Sequence, residues 1–269
     1  RDIDEGIGII IRAIQARGLW PRTFMLLSSD HGHTQTKWHL DLSELVGQIG
    51  YRVFEYPMLF RRNCTAAVMI SGNALAHIYL ASGQGWQSPL YKAELDHEHA
   101  KLLERLRTDE AIDWIAYRYD FERVAVLNRN GSALLGMKDN VYVYDTDGED
   151  PLHLGLDQRV VTTEQALKLT MASPFPDALE QIWQLFRSMR TGDIVVTAKP
   201  GYDLRARYEW PEHHSSHGAL CRGQMLVPIL TNRSISEVAP IRTADLFPTM
   251  LHSLGVQPRK PHFGRDLSV

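Results

Sequence analysis

The sequence has few cysteines and no long apolar run. Cys64 and Cys221 lie far apart without a CxxC spacing, so the sequence supports neither a disulfide framework nor a cysteine metal site. The longest apolar stretches are mixed runs such as TAAVMI and MLVPIL, well short of the roughly 18 residues of a membrane span. These absences argue against a disulfide-stapled protein and against a membrane span in this chain.

The sequence also lacks an excess of charge of one sign. It has 29 Lys and Arg against 32 Asp and Glu, a net charge of -3 and no long basic block. Neither nucleic acid nor an anionic membrane is therefore expected as the main partner. With 269 residues, 44% of them hydrophobic, the chain suits an ordinary globular protein with a sizeable core. The 12 histidines are unusually many, but only a local cluster gives that number a meaning.

The chain opens at Arg1 and within a few residues enters DIDEGIGIIIRAIQARGL, where isoleucines recur at helical spacing. This pattern predicts a helix over about residues 4–17, ended by Gly18. A chain that opens inside a helix is expected to lack its beginning and any signal peptide. Localisation and oligomeric state are therefore not predicted.

An acidic and histidine-rich cluster follows the next apolar run. TFMLL (23–27) predicts a strand covered on both faces, and SSDHGHTQT (28–36) comes directly after it. Asp30 and His31 would then lie at the carboxyl end of the strand, where ligands bind in open α/β sheets. Carboxylate and imidazole are both ligands of divalent metals, so this stretch predicts a metal site.

A second His-Gly pair stands near the other end of the chain. EHHSSHG (212–218) precedes QMLVPIL (224–230), which is predicted to be a buried strand. One such cluster alone fits a strand-end cap with a surface imidazole. Two clusters beside strands of one sheet favour a shared metal site.

The remaining patterns predict alternating helices and strands. Asp41 is the predicted N-cap of a short helix over 41–50, and TAAVMI with AHIYLA predicts a hairpin. One charged amphipathic helix is predicted over 90–107, with His97 and His99 on its surface. Further predicted strands are RVAVLN, SALLGM, VYVYD and GDIVVTA (192–198); further predicted helices lie near 162–170, 176–190 and 243–255.

The ordered set of motifs resembles the alkaline phosphatase superfamily, in particular its type I phosphodiesterase, nucleotide pyrophosphatase and phosphoglycerate mutase branches. The motifs are DIDEGIGIIIRAI, SSDHG, SSHGAL with MLVPIL, RTADLFPTMLHSLG and GRDL. The resemblance implies an α/β fold with a three-layer α/β/α core. That core would comprise residues 1–38 and 192–269, without its amino-terminal part, and 39–191 would be a mixed α+β insertion or cap continuous with it.

The resemblance also implies a pair of divalent metal ions, usually zinc, and a small phosphate ester as substrate. Asp30 and His31 match the ligands of one metal, and His217 matches a ligand of the other. Hydrolysis would proceed through a covalent intermediate on a Ser or Thr nucleophile that this chain does not contain. The isolated chain is therefore expected to be inactive and to bind zinc weakly.

Five further residues are candidates for substrate contact or for support of the metal ligands: His33, Lys37, Tyr202, His213 and His214. Lys37 could meet an anionic ester, although a solvated loop also explains it. His213 and His214 are adjacent, so in an extended segment only one of them can face the site.

Two other functions stay open at this point. A phosphotransferase or mutase of the same superfamily would share the metals and the covalent intermediate but pass the group to another acceptor. A non-catalytic fragment that binds metal or a partner chain is the alternative from a different class.

Overall fold

The computed structural model describes residues 1–58, 60–83, 85–86, 89–156, 160–236, 240–257 and 264–268. They fall into two compact units, which are described separately below. One unit comprises Arg1–Asp30 with Pro228–Val269, and the other comprises His31–Val227. The predicted division into a core of 1–38 and 192–269 and an insertion of 39–191 stays a prediction.

The helices are α1 Asp2–Ala16, α2 Leu42–Gln48, α3 Lys92–Glu98, α4 Ala100–Thr108, α5 Thr163–Thr170, α6 Ala178–Arg187, α7 Arg222–Met225 and α8 Leu246–Ser253. The strands are β1 Leu26–Ser28, β2 Thr34–Gln35, β3 Trp38–His39, β4 Val53–Phe54, β5 Ala66–Ser71, β6 Leu75–Leu80, β7 Ile112–Arg118, β8 Arg123–Leu127, β9 Gly131–Lys138, β10 Val141–Gly148, β11 Val160–Thr162, β12 Ile194–Ala198, β13 Tyr202–Asp203, β14 Ser215–Ser216 and β15 Ile229–Thr231. Short 3₁₀ turns lie at Trp20–Arg22 and Thr243–Asp245.

The first unit contains α1, the β1–β15 pair and α8. Helix α1 carries acidic residues in its first turn, where they suit the helix dipole, and Gly18 follows its end at a φ of +67°. Strand β1 pairs antiparallel with β15, its partner among the described strands. The prediction that this strand is covered on both faces is wrong, because Leu26 and Leu27 are half-buried and Ser28 is exposed.

A buried aspartate ties the GRDL motif to the last helix of the first unit. Asp245 accepts hydrogen bonds from the backbone N–H of Arg242 at 3.0 Å and from Arg265, through its backbone N–H at 2.7 Å and Nη2 at 2.8 Å. Burial raises the pKa of the Asp245 carboxyl, but these hydrogen bonds outweigh burial and hold the pKa below its ordinary value. The two late motifs therefore meet in one ion pair.

The second unit is built on a large mixed sheet. Among the described strands its order is β11-β10-β9-β8-β7-β12-β6-β5-β4, and every neighbouring pair is antiparallel except β4 with β5. All five residues of β12 are buried, so the predicted strand in GDIVVTA is covered on both faces. The predicted hairpin of β5 and β6 is confirmed.

Helices cover both faces of this sheet. Along β12, Ile194 and Val196 pack on one face with leucines of α2, α3 and α4. Val195 points to the opposite face and packs with Leu179 and Ile182 of α6 and with Ala166 of α5. The predicted α/β class is therefore confirmed. The nine described strands of this sheet lie within residues 53–198, and all of them except β12 come from the region that was predicted to be an insertion.

Two predicted elements are wrong in detail. The single helix over 90–107 is two helices that meet at His99, which is buried rather than on the surface and whose Nδ1 lies 2.7 Å from the Tyr51 hydroxyl. The predicted strand QMLVPIL begins as helix α7 and becomes strand only at Ile229. In both places a side chain makes a tertiary contact that sequence periodicity does not register.

Candidate metal centre

The pairing of two very short strands places the two histidine clusters side by side. Strand β2 pairs antiparallel with β14, so that Thr34 lies opposite Ser216 and Gln35 lies opposite Ser215. The backbone N–H of Thr36 also donates to the His214 carbonyl at 2.9 Å. The segment that follows Asp30 is therefore held against the segment that leads to His217.

Three imidazoles meet at this pairing. The rings of His31 and His217 stack with their centroids 3.7 Å apart and an angle of 5° between their planes. The His33 ring is tilted to both, with its centroid 5.0 Å from that of His31 and 5.1 Å from that of His217. One nitrogen from each ring lies within 4.8 Å of the other two, which is a possible metal-binding group.

Hydrogen bonds orient two of these rings. His31 Nδ1 lies 3.0 Å from the Gly32 carbonyl oxygen. Because a carbonyl only accepts, this Nδ1 carries the proton and the lone pair of the neutral ring is on Nε2. His33 Nδ1 lies 3.3 Å from the Ser215 hydroxyl. A hydrogen bond on the far nitrogen is what usually orients a metal-ligating histidine.

Glycine allows the backbone to approach His217 closely. The His217 N–H donates to the Gly72 carbonyl at 2.7 Å, and the Ala74 N–H donates to the His217 carbonyl at 3.0 Å. A Cβ at Gly72 would lie 2.5 Å from His217 Nδ1, and one at Gly218 would lie 2.6 Å from the Ser71 carbonyl oxygen. Both glycines have positive φ, so their positions exclude larger residues by conformation as well as by space.

The other predicted ligand, Asp30, belongs to the first unit, whereas the three imidazoles belong to the second. Asp30 is the last residue of the first unit, directly before His31 in sequence, and its side chain is exposed. The Ser29 hydroxyl donates to its carboxylate at 3.4 Å. The metal role of Asp30 stays a prediction.

The remaining candidates lie around the cluster. His213 Nδ1 lies 3.2 Å from Glu209 Oε1 and 3.1 Å from Asn73 Nδ2, whereas the His214 side chain is exposed. Tyr202 packs on Trp38 with ring centroids 5.1 Å apart. The ammonium of Lys37 lies 6.0 Å from the centroid of the same Trp38 ring. A direct role of these four residues in substrate binding stays a prediction.

Sequence reasoning missed a histidine bridged by two carboxylates. His39 Nδ1 lies 2.9 Å from Asp203 Oδ1, and His39 Nε2 lies 3.0 Å from Glu212 Oε1. Burial raises the pKa of the Asp203 carboxyl, whereas hydrogen bonds from the Arg205 backbone and from His39 oppose that rise. This bridge links strand β3 and strand β13 to the segment that carries His217. Asp203 follows the buried β12 strand, which was the available signal.

An open cleft lies beside strand β5. It has a volume of about 270 Å³, and Tyr56, Met69, Ile70 and Tyr208 contribute apolar surface to it. Arg207 lies in its wall and pairs with Asp41 and Glu55. Ile70, in the wall of the cleft, is two residues before Gly72, whose carbonyl accepts a hydrogen bond from the His217 N–H.

A comparison with models of protein families shows to which family the chain belongs. The sequence model of the type I phosphodiesterase / nucleotide pyrophosphatase family matches residues 1–220, a range that includes all three histidines of the cluster. The chain belongs to this family. The match confirms the superfamily resemblance that the motifs indicated, and it supports hydrolysis of phosphoric esters, for which the family generally uses divalent metals.

Comparisons with curated proteins and with solved structures give no further similar protein. No curated protein and no solved structure matched the chain significantly. Among the helices that the structure describes, none combines the length and the apolar character needed to cross a bilayer.

Proposed function

We propose that the protein hydrolyses a phosphoric mono- or diester with two divalent metal ions, zinc in kind, that are held by Asp30, His31 and His217. The observation that carries this proposal is the stacked pair of His31 and His217 within a chain of this family. Imidazole nitrogen and carboxylate oxygen are ligands that suit zinc.

The ring geometry supports binding of more than one ion. The lone pair of an imidazole nitrogen lies in the plane of its ring, and the two planes here are nearly parallel with centroids 3.7 Å apart. Such rings direct their lone pairs side by side rather than at one point, so His31 and His217 would serve as ligands of two different ions.

The bound ions would neutralise charge on the ester and activate an oxygen nucleophile. In this mechanism, the chain's own part is to hold the ligands in place. His31 is oriented by the Gly32 carbonyl, and His217 is held between the backbones of Gly72 and Ala74. The Ser or Thr that forms the covalent intermediate is not assigned to any residue of this sequence. We therefore expect the 269-residue chain to be inactive by itself.

The test compares the product of the whole gene with the 269-residue chain on chromogenic phosphate mono- and diesters. We expect turnover by the former, its loss after chelation and its return with zinc. Undiminished turnover in chelator-treated, metal-free buffer would contradict the metal mechanism. Adding an alcohol acceptor tests the alternative, because transfer of the phosphoryl group to the alcohol in preference to water would identify a phosphotransferase.

A further inference from the structure

We propose that Glu209 is a positioning residue of this centre. Its carboxylate holds the tip of the β5–β6 hairpin, residues 72–74, against the segment that leads to His217, and thereby fixes the place of this ligand. The inference rests on the proposed function, because the role it assigns is exerted on a metal ligand. Glu209 is not among the residues that the sequence motifs single out.

The hairpin tip binds the backbone of His217 on both sides. The Gly72 carbonyl accepts from the His217 N–H, and the Ala74 N–H donates to the His217 carbonyl. The tip has an uncommon backbone, since φ is +59° at Gly72 and +65° at Asn73. A left-handed residue other than glycine persists only where its surroundings stabilise it. The position of His217 therefore depends on the contacts that hold Asn73.

Glu209 provides the main side-chain contact of Asn73. The Asn73 amide donates from Nδ2 to Glu209 Oε1 at 2.6 Å, although the two residues are 136 positions apart. Asn73 is buried, and the side chain of Glu209 is only 7% exposed. A hydrogen bond to a carboxylate is stronger than one between neutral groups. The Leu204 N–H also donates to the Asn73 carbonyl at 2.8 Å, so the tip is tied to this segment twice.

The same carboxylate oxygen gathers two more side chains of the segment. Glu209 Oε1 lies 3.7 Å from Arg205 Nε and 3.2 Å from His213 Nδ1. His213 Nδ1 also lies 3.1 Å from Asn73 Nδ2. Removal of the carboxylate would leave these groups without their shared partner in a buried place, which is costly. Glu209 thus connects the hairpin tip to the chain on both sides of itself.

The test follows amide exchange and metal binding in the purified 269-residue chain. Glu209→Ala should accelerate hydrogen exchange of the His217 amide at least about tenfold, relative to the amide of the buried Val195 in strand β12. The variant should also bind Zn²⁺ about 10–100-fold more weakly, in titrations against a chromophoric chelator. Glu209→Gln retains an oxygen that can accept from Asn73, so it should recover most of both losses.

A second variant reaches the same contact from its other side. Asn73→Gly allows the positive φ and removes only the amide side chain, so it should reproduce the effects of Glu209→Ala. The double variant should add little to either effect. Glu180→Ala is the matched control, because Glu180 is half-buried and accepts a hydrogen bond from the Tyr142 hydroxyl in the same unit. It should change neither His217 exchange nor Zn²⁺ affinity.

Two results would overturn the proposal. The first is unchanged exchange of the His217 amide in Glu209→Ala, whatever the Zn²⁺ affinity. The second is faster exchange with wild-type Zn²⁺ affinity, because the hairpin tip would then not position a ligand. Absence of Zn²⁺ binding in the wild type would instead count against the proposed function, and the exchange of His217 would then decide by itself whether Glu209 holds this residue in place.

Discussion

Gly72 illustrates how one backbone position determines the geometry of a ligand. Its φ is +59°, and a Cβ there would lie 2.5 Å from both Nδ1 and the carbonyl oxygen of His217. The carbonyl oxygen cannot move away cheaply, because the His217 backbone is hydrogen-bonded to Gly72 and Ala74. Glycine at position 72 therefore leaves room for the imidazole where it stacks on His31.

We predict that Gly72→Ala displaces the His217 ring, lowers Zn²⁺ affinity and destabilises the fold by about 1–3 kcal/mol through backbone strain and overpacking. Gly155→Ala is the matched control, because Gly155 has a similar φ of +62° but nothing within 4 Å of its added Cβ. Urea unfolding and Zn²⁺ titration measure the two effects. Equal Zn²⁺ affinity in the two variants would show that Gly72 does not position His217.

Asp113 should make stability depend on pH. Burial raises the pKa of its carboxyl to about 6, although Lys199 and His153 oppose the rise. Because the folded-state pKa exceeds the unfolded-state value, the folded protein binds more protons between these two values. The free energy of unfolding therefore falls as the pH rises from about 4 to about 6 and stays lower above that range.

We predict that Asp113→Asn removes this loss. At pH 8 the variant should gain no more than about 3 kcal/mol over the wild type, since each unit of pKa shift corresponds to about 1.4 kcal/mol. The difference should shrink to its low-pH value below about pH 4. Urea unfolding of both proteins from pH 4 to pH 8 measures it. A difference that does not change with pH would contradict the assigned shift.

Single residues were only partly predictable from sequence. The two His-Gly clusters identified His31 and His217 because chemistry-bearing residues were concentrated beside apolar runs. The spacing of His31 and His33 would have predicted that their rings lie close together, since side chains two residues apart in an extended segment point to the same side. Asp203 follows a buried strand, but its pairing with His39 was not predictable, because Asp203 and Glu212 are more than 160 positions from His39 and the contacts depend on the fold.

At the scale of elements, helix α2 depends on a cap that also makes an ion pair. Asp41 Oδ1 accepts from the Glu44 N–H at 2.8 Å, which satisfies one of the open donors of the first turn. Asp41 also pairs with Arg207, which lies in the wall of the cleft. The cap stabilises helix α2 itself, whereas the ion pair with Arg207 connects helix α2 to the segment that precedes His217.

We predict that Asp41→Ala costs about 1–2 kcal/mol of stability, mainly through loss of the cap. Asp41→Asn retains an oxygen that can cap and loses only the charge, so it should cost less than about 1 kcal/mol, as expected for a partly exposed ion pair. Urea unfolding separates the two values. An Asn variant as unstable as the Ala variant would mean that the ion pair, rather than the cap, stabilises this region.

Elements with a strong local pattern were predictable, and those fixed by distant contacts were not. The apolar run IVVTA forms the predicted strand β12. The predicted N-cap of helix α2, Asp41, is also confirmed. QMLVPIL has the composition of a strand, but Gln224 lies in helix α7, where its amide donates to Thr34 at 2.6 Å and accepts from the Ala219 N–H at 2.8 Å. Those contacts decide the local conformation.

At the scale of the whole molecule, metal binding and folding should be linked. The three histidines come from segments more than 180 positions apart, so the folded chain assembles a ligand set that the unfolded chain does not hold together. A ligand that binds only the folded state stabilises it in proportion to the logarithm of its concentration. Unfolding should therefore respond to zinc.

We predict that Zn²⁺ at 100 times its Kd raises the free energy of unfolding by about 2.7 kcal/mol. The same Zn²⁺ concentration should give a much smaller increase in His217→Ala, while magnesium should have little effect on either protein. Thermal scans at fixed protein concentration measure the shift. Equal stabilisation of wild type and His217→Ala would place the zinc elsewhere.

The measurement that tests the central claim most directly is turnover of a chromogenic phosphate diester by the product of the whole gene, with zinc present, in wild type, His217→Ala and His97→Ala. Loss of a metal ligand should lower kcat/KM at least about 100-fold in His217→Ala, while His97→Ala, which removes an exposed histidine of helix α3, should retain wild-type turnover. Wild-type kcat/KM in the folded His217→Ala variant would contradict hydrolysis at this metal centre.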